Sequence, residues 1–156
     1  MHEQWSCFAI ISIDSSVHAE KSRDILVYKK MDRRDGVSTF QFPGGSKEYG
    51  DANPMVTLQR TVRDQTGIDL SRFSTVRRAC YENTNIRSTH TGGRVRKHTN
   101  SVRYYQLHIE IDLFLDRTGF EMDKNEIMQW MHPEAILRSE DFSEADKTAL
   151  QHCLNS

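Results

Sequence analysis

Apolar residues in the first third of the chain fall into short blocks with the look of strands. Ser6-Cys-Phe-Ala-Ile-Ile-Ser-Ile13 is rich in residues that suit a sheet, Asp24-Ile-Leu-Val-Tyr-Lys29 is a second block, and Ser38-Thr-Phe-Gln-Phe42 alternates as a short third. The period then changes. Met55, Leu58 and Val62 fall at i, i+3 and i+7, the stripe of an amphipathic helix. Asn53 is a preferred N-cap, Pro54 suits the first helical position and Gly67 suits the stop, so a helix is predicted over 54–66.

Beyond it the pattern predicts a strand over 75–82, a long polar loop, and a long strand from Tyr105. There Tyr105, Leu107, Ile109, Ile111, Leu113 and Leu115 share one face, and Gln106, His108, Glu110 and Asp112 the other. The last element is a helix over 143–154, with Ser143 and Asp146 as a capping pair and Ala149, Leu150, Cys153 and Leu154 as its buried stripe. Strands, helix, strands, helix in this order predict an α/β fold with a sheet sandwiched between helices. No repeat or linker divides the 156 residues, so one domain over 1–156 is expected.

No apolar run approaches the roughly 20 residues of a membrane-spanning helix, and residues 1–13 lack the basic start of a secretory signal. Cys7, Cys80 and Cys153 cannot all pair and lack metal-site spacing, which favours reduced thiols in a cytoplasmic setting. The net charge of −1 conceals an uneven distribution: residues 77–103 hold seven Arg/Lys against one Glu, and residues 104–156 hold four against eleven acids. That balance excludes a general polyanion binder but leaves room for a local phosphate grip.

The densest chemistry lies in Phe42-Pro-Gly-Gly-Ser-Lys-Glu-Tyr-Gly-Asp51 and the helix after it. A double-glycine turn lets backbone approach a ligand closely. Thr61, Asp64 and Gln65 stand at i, i+3 and i+4 on one helix face, with Arg60 four residues before Asp64 and able to pair with it. Oxygen ligands beside a bendable loop suit a hard divalent cation.

Gly45, Gly50-Asp51, Arg60 and Gly67-Ile68 resemble the Nudix box, G-x5-E-x7-R-E-U-x-E-E-x-G-U with U aliphatic, and Phe42-Pro43-Gly44 matches its usual lead-in. Ile25–Tyr28 and Glu126–Ile136 extend the likeness over most of the chain. The resemblance implies a Nudix-like α/β/α sandwich with a mixed sheet. It further implies hydrolysis of the diphosphate linkage in a nucleoside diphosphate derivative with Mg²⁺ or Mn²⁺. On that basis Gly44 (backbone oxygen), Asp64 and Gln65 would hold the cation, Arg60 would orient the helix carboxylate, and Glu126 would be the general base. The box is altered, however. Thr61, Asp64 and Gln65 replace three glutamates, Asp51 a fourth, and one extra residue separates Asp51 from Arg60. The alternative is therefore a non-catalytic Nudix-fold module that binds nucleotide, RNA or a protein partner.

The basic stretch 87–103 supplies Arg94, Arg96 and Lys97 around Gly92-Gly93, candidates for gripping substrate phosphates or RNA. Tyr81, Tyr104 and Tyr105 flank it and suit either base stacking or sheet packing. A homodimer is compatible with the resemblance. The histidines form no zinc pattern, and neither a G-x-S-x-G nor a phosphate-loop motif occurs.

Overall fold

The computed structural model describes residues 2–14, 23–31, 34–72, 79–109, 121–123 and 126–155. Among them, eight strands form one mixed sheet: β1 (His2–Asp14), β2 (Arg23–Met31), β3 (Ser38–Gln41), β4 (Gly44–Ser46), β5 (Ala79–Thr91), β6 (Arg94–Ile109), β7 (Glu121–Asp123) and β8 (Glu126–Met131). The order is β5-β6-β1-β2-β8-β7, with β3 beside β2 and β4 beside β1. β1 and β6 run parallel, from His2 opposite His98 to Ile13 opposite Ile109, while the other pairs are antiparallel.

Why β1 reads as a continuous apolar block follows from its position, since it is buried on both faces. Trp5, Cys7, Ala9 and Ile11 join one core with Leu58 and Val62 of α1 (Pro54–Thr66). Ile10 and the half-buried Phe8 join a second core with Ile136 of α2 (Pro133–Arg138) and Ala149 and Leu150 of α3 (Glu144–Leu154). Helices thus cover both faces of the sheet, the α/β/α sandwich that was expected. No helix among the described residues is long and apolar enough to cross a membrane.

Helix α1 spans the predicted 54–66. Asn53 accepts a hydrogen bond from the Val56 N–H, Pro54 opens the first turn, and Gly67 closes the helix in the left-handed conformation. In α3 the Ser143 hydroxyl accepts from the Asp146 N–H at 3.1 Å, and Ala149, Leu150 and Cys153 are buried, whereas Leu154, the last helical residue, is exposed.

Three expectations need correction. The polar segment predicted as a loop over 83–104 is two strands: β5 and β6 pair in unbroken register from Tyr81 opposite Tyr104 to Thr91 opposite Arg94, around Gly92-Gly93. Beyond His98 neither strand has a third partner, so the hairpin has no apolar face to bury and no alternating pattern to read. Gly44–Ser46, predicted as turn, pairs briefly with β1. Cys80 and Cys153, 73 residues apart, are joined in a disulfide between β5 and α3, so only Cys7 is a free thiol, and it is buried. The outer half of the long strand predicted from Tyr105, over 110–115, and the start of the one predicted over 75–82 lie outside the described residues.

Candidate functional site

The box loop is pinned to β1 before it reaches the helix. Phe42 is fully buried, and the Pro43 carbonyl accepts from the Ala9 N–H at 2.7 Å. Gly44 has φ of 148°, and a Cβ there would stand 2.0 Å from the Cys7 carbonyl oxygen, so only glycine fits. Its peptide groups face α1. The Gln65 side chain accepts from the Gly44 N–H at 2.8 Å and donates its amide N–H to the Gly44 carbonyl at 2.9 Å. This amide-on-amide clasp closes the turn onto the last part of the helix.

Arg60 is not paired with Asp64 as the i,i+4 spacing suggested. It donates through Nη2 to Asp51 at 2.9 Å and to the Ser46 carbonyl at 3.4 Å, and its Nη1 lies 3.4 Å from the Glu48 carboxylate. Side chains on a helix lean toward its N-terminus, so Arg60 reaches back to the loop rather than forward to Asp64. Asp51 is almost wholly buried and also accepts from the Thr57 hydroxyl at 2.7 Å and the Glu48 N–H at 2.9 Å. The Arg60 hydrogen bond, with those of Glu48 and Thr57, holds its carboxyl far below the usual carboxylate range. Thr57 in turn accepts from the Trp5 indole N–H at 2.8 Å, and Lys47 stands 4.3 Å over the Trp5 ring. The network runs from β1 through α1 to the loop with each of these groups paired.

The three side chains predicted to share a helix face diverge. Thr61 is buried, its hydroxyl donating back to the Thr57 carbonyl at 2.8 Å, while its methyl fills the space where Gly45 lacks a side chain. Gln65 is half-buried in the clasp, and Asp64 is exposed. Glu126 lies in β8 opposite Lys30, and its side chain falls outside what the structure describes. Among the described residues no group of three or more His, Cys, Asp or Glu is placed to hold a metal. The donors that remain fit a resident Mg²⁺ or Mn²⁺ poorly. The Gly44 carbonyl and Gln65 are engaged with each other, Arg60 holds Asp51 and lies beside Glu48, and Asp64 is a single exposed carboxylate.

The opposite face of the sheet carries a cleft of about 580 Å³ between the strands and the loop leading into α3. Phe8, Phe40, Tyr104 and Phe142 give it aromatic walls, with Phe40 and Phe142 stacked at 5.4 Å between centroids. Gln41 and three acids, Glu140, Asp141 and Asp146, supply polar atoms, and no Lys or Arg lines it. The Tyr104 hydroxyl donates to Asp146 at 2.7 Å; burial pushes both the Asp146 carboxyl and the Tyr104 phenol upward. Sequence reasoning gave Asp146 only a capping role. The cleft is built by segments from four parts of the chain, and the one local signal was Tyr104 standing out of phase with the face of Tyr105.

Arg94, Arg96 and Lys97 are exposed on the hairpin, away from the clasp in the topology. Arg94 and Arg96 share the ribbon face of Val102 and Tyr104, whereas Lys97 is on the other. Tyr104 and Tyr105 are both buried, on opposite faces, and Tyr81 packs against Tyr104 and His152.

With this geometry in view, the fold compares closely with solved Nudix structures. A mutT/nudix family protein from Listeria innocua superposes with a TM-score of 0.64 at 10% identity, covering 99% of this chain and 94% of that one. The NUDIX domain of Shewanella oneidensis NrtR complexed with ADP ribose gives 0.61 at 9% identity, covering 99% and 88%. C. elegans Ap4A hydrolase gives 0.57 at 13%, covering 97% and 96%. No protein-family model matches the sequence, and no curated protein matches it. The chain has the Nudix fold.

Proposed function

We propose that this protein is a Nudix-fold module that binds a nucleoside diphosphate derivative without a resident metal. The observation that carries this reading is the Gln65–Gly44 clasp, which engages a carbonyl and a helix side chain that a cation would need. The cleft supports the same reading. The half-buried rings of Phe8 and Phe40 suit the flat face of a base, and Gln41 and the exposed Asp141 offer acceptors for base N–H groups. With no cation in the lining, the base is the part that belongs inside, and the phosphates belong at the mouth.

Hydrolysis is the second reading, favoured by one feature: Asp64 is an exposed carboxylate on α1. A substrate bringing Mg²⁺ or Mn²⁺ on its own phosphates could use that carboxylate, with Glu126 as the candidate base. Calorimetric titration of ADP ribose and Ap4A, in EDTA and then in Mn²⁺, with product release followed in parallel, separates the two. Saturable binding that is equal in EDTA and Mn²⁺, without turnover, is the expected result. Metal-dependent turnover that Asp64→Ala abolishes would overturn the binding-module reading and establish a hydrolase.

A further inference from the structure

We infer that the β5–β6 ribbon grips the backbone of a single-stranded nucleic acid whose terminal nucleotide enters the cleft. The placement of the terminal nucleotide rests on the cleft reading above; the grip on the ribbon does not. Between Asn83 and Val102 the chain has four Arg/Lys and no Asp or Glu. The register sorts these cations by face. Arg87 opposite His98, Thr89 opposite Arg96 and Thr91 opposite Arg94 share one face, and Ser88 opposite Lys97 and His90 opposite Val95 share the other. The contact of the Thr89 hydroxyl with His98 Nε2, at 3.1 Å, is in keeping with that sorting.

The face bearing the three arginines continues into the cleft. Along β6 it passes from Arg94 and Arg96 through His98 and Asn100 to Val102 and Tyr104, which line the cleft, and alongside on β1 it meets Gln4 and Ser6. Alternate residues on a strand stand about 6.6 Å apart, so the ribbon offers a row of donors at regular intervals. Among the described residues Arg87, Arg94 and Arg96 have no carboxylate within ion-pair distance, and the Arg103–Glu82 pair, at 3.4 Å, lies on the other face of the ribbon. Arginine forks without internal partners match phosphate oxygens. The amides of Asn83, Asn85 and Asn100, all on this face, give further donors and acceptors before the aromatic end is reached. At the end of this strip the half-buried Phe8 and Phe40 rings offer a terminal base a stacking surface, while the phosphates stay on the arginines, away from Glu140 and Asp141.

The test is fluorescence anisotropy with labelled oligomers of about twelve nucleotides, single-stranded RNA, single-stranded DNA and the RNA duplex, across a series of salt concentrations. The native chain should bind single strands more tightly than the duplex; the RNA and DNA arms identify which backbone is preferred. The combined variant Arg87→Gln, Arg94→Gln, Arg96→Gln should lose about 30-fold in affinity at low salt, and the slope of log affinity against log salt should shallow by about 2. Lys97→Gln, on the other face, should stay within about twofold. ADP ribose binding measured on the same variants reports the cleft separately, and thermal denaturation reports folding. No saturable binding of a single strand at low salt, or an effect of Lys97→Gln as large as that of Arg96→Gln alone, overturns the inference even if ADP ribose binds.

Discussion

Arg60 on α1 and Arg96 on β6 are the same side chain in opposite circumstances. Arg60 donates to Asp51 and to the Ser46 carbonyl and lies beside Glu48, and its partners are themselves hydrogen-bonded to Thr57 and backbone. Arg96 is exposed on a two-stranded ribbon with no carboxylate within ion-pair distance among the described residues. Around Arg60 the charges are consumed by holding the loop to the helix. Around Arg96 they remain available to a ligand. The part of this molecule that resembles an active site is thus the more internally satisfied one, and the part that resembles a solvated surface has the unspent binding capacity.

The sharpest way to break that contrast is to compare glycines in the two regions. Gly44→Ala would place a Cβ 2.0 Å from the Cys7 carbonyl and 2.7 Å from the Phe8 Cα, both backbone atoms of a central strand. Neither can retreat, and a loss above about 4 kcal/mol is expected in urea denaturation. Gly93→Ala meets nothing within 4 Å, and its φ of +79° makes the strain of a left-handed alanine the main cost, about 1 kcal/mol. Equal losses at the two sites would show that the box loop is no more tightly seated than the ribbon tip.

Removing the partner of Arg60 comes next in size. Asp51→Ala should cost about 2–3 kcal/mol, the range for a charge-assisted hydrogen-bonded group, with the partial exposure of Arg60 keeping it below a fully buried pair. Its pH dependence has a fixed sign. The folded-state carboxyl lies below the ordinary value of about 3.9, so its stabilisation is complete above that value and fades as pH falls toward the folded one. The stability gap between native protein and Asp51→Ala should accordingly be constant near neutrality and narrow in acid below about pH 4. Arg96→Gln, in contrast, should move stability by less than about 0.5 kcal/mol at any pH.

How much of this was legible from sequence depended on the distance over which each feature is encoded. Asn53, Pro54, the 55/58/62 stripe and Gly67 lie within fifteen residues, and α1 was read to the residue. Both faces of the sandwich followed from short apolar blocks. The Cys80–Cys153 bond joins residues 73 apart, and the cleft depends on the register of β1 against β6, which no local pattern specifies. Arg60 was assigned the wrong partner because i,i+4 spacing ignores the lean of helical side chains toward the loop before the helix. The ribbon was hidden for another reason: its outer part is polar on both faces, so neither face carries the alternation that reveals a half-buried strand.

The last effect is the most informative about the box. Gln65 uses both ends of its amide, accepting from the Gly44 N–H and donating to the Gly44 carbonyl. Gln65→Glu keeps the shape and the acceptor but cannot donate when ionised, so one carboxylate oxygen would face the carbonyl it formerly bound. That loss should cost about 1 kcal/mol in EDTA. Two oxygens then point at one another, the arrangement a divalent cation relieves. Mg²⁺ should therefore raise the melting temperature of the Gln65→Glu variant while leaving that of the native chain unchanged, because in the native chain the amide N–H already stands between those oxygens. If Mg²⁺ stabilises the native chain as strongly as the variant, the clasp opens to metal, and the difference drawn between a satisfied box and an unsatisfied ribbon disappears.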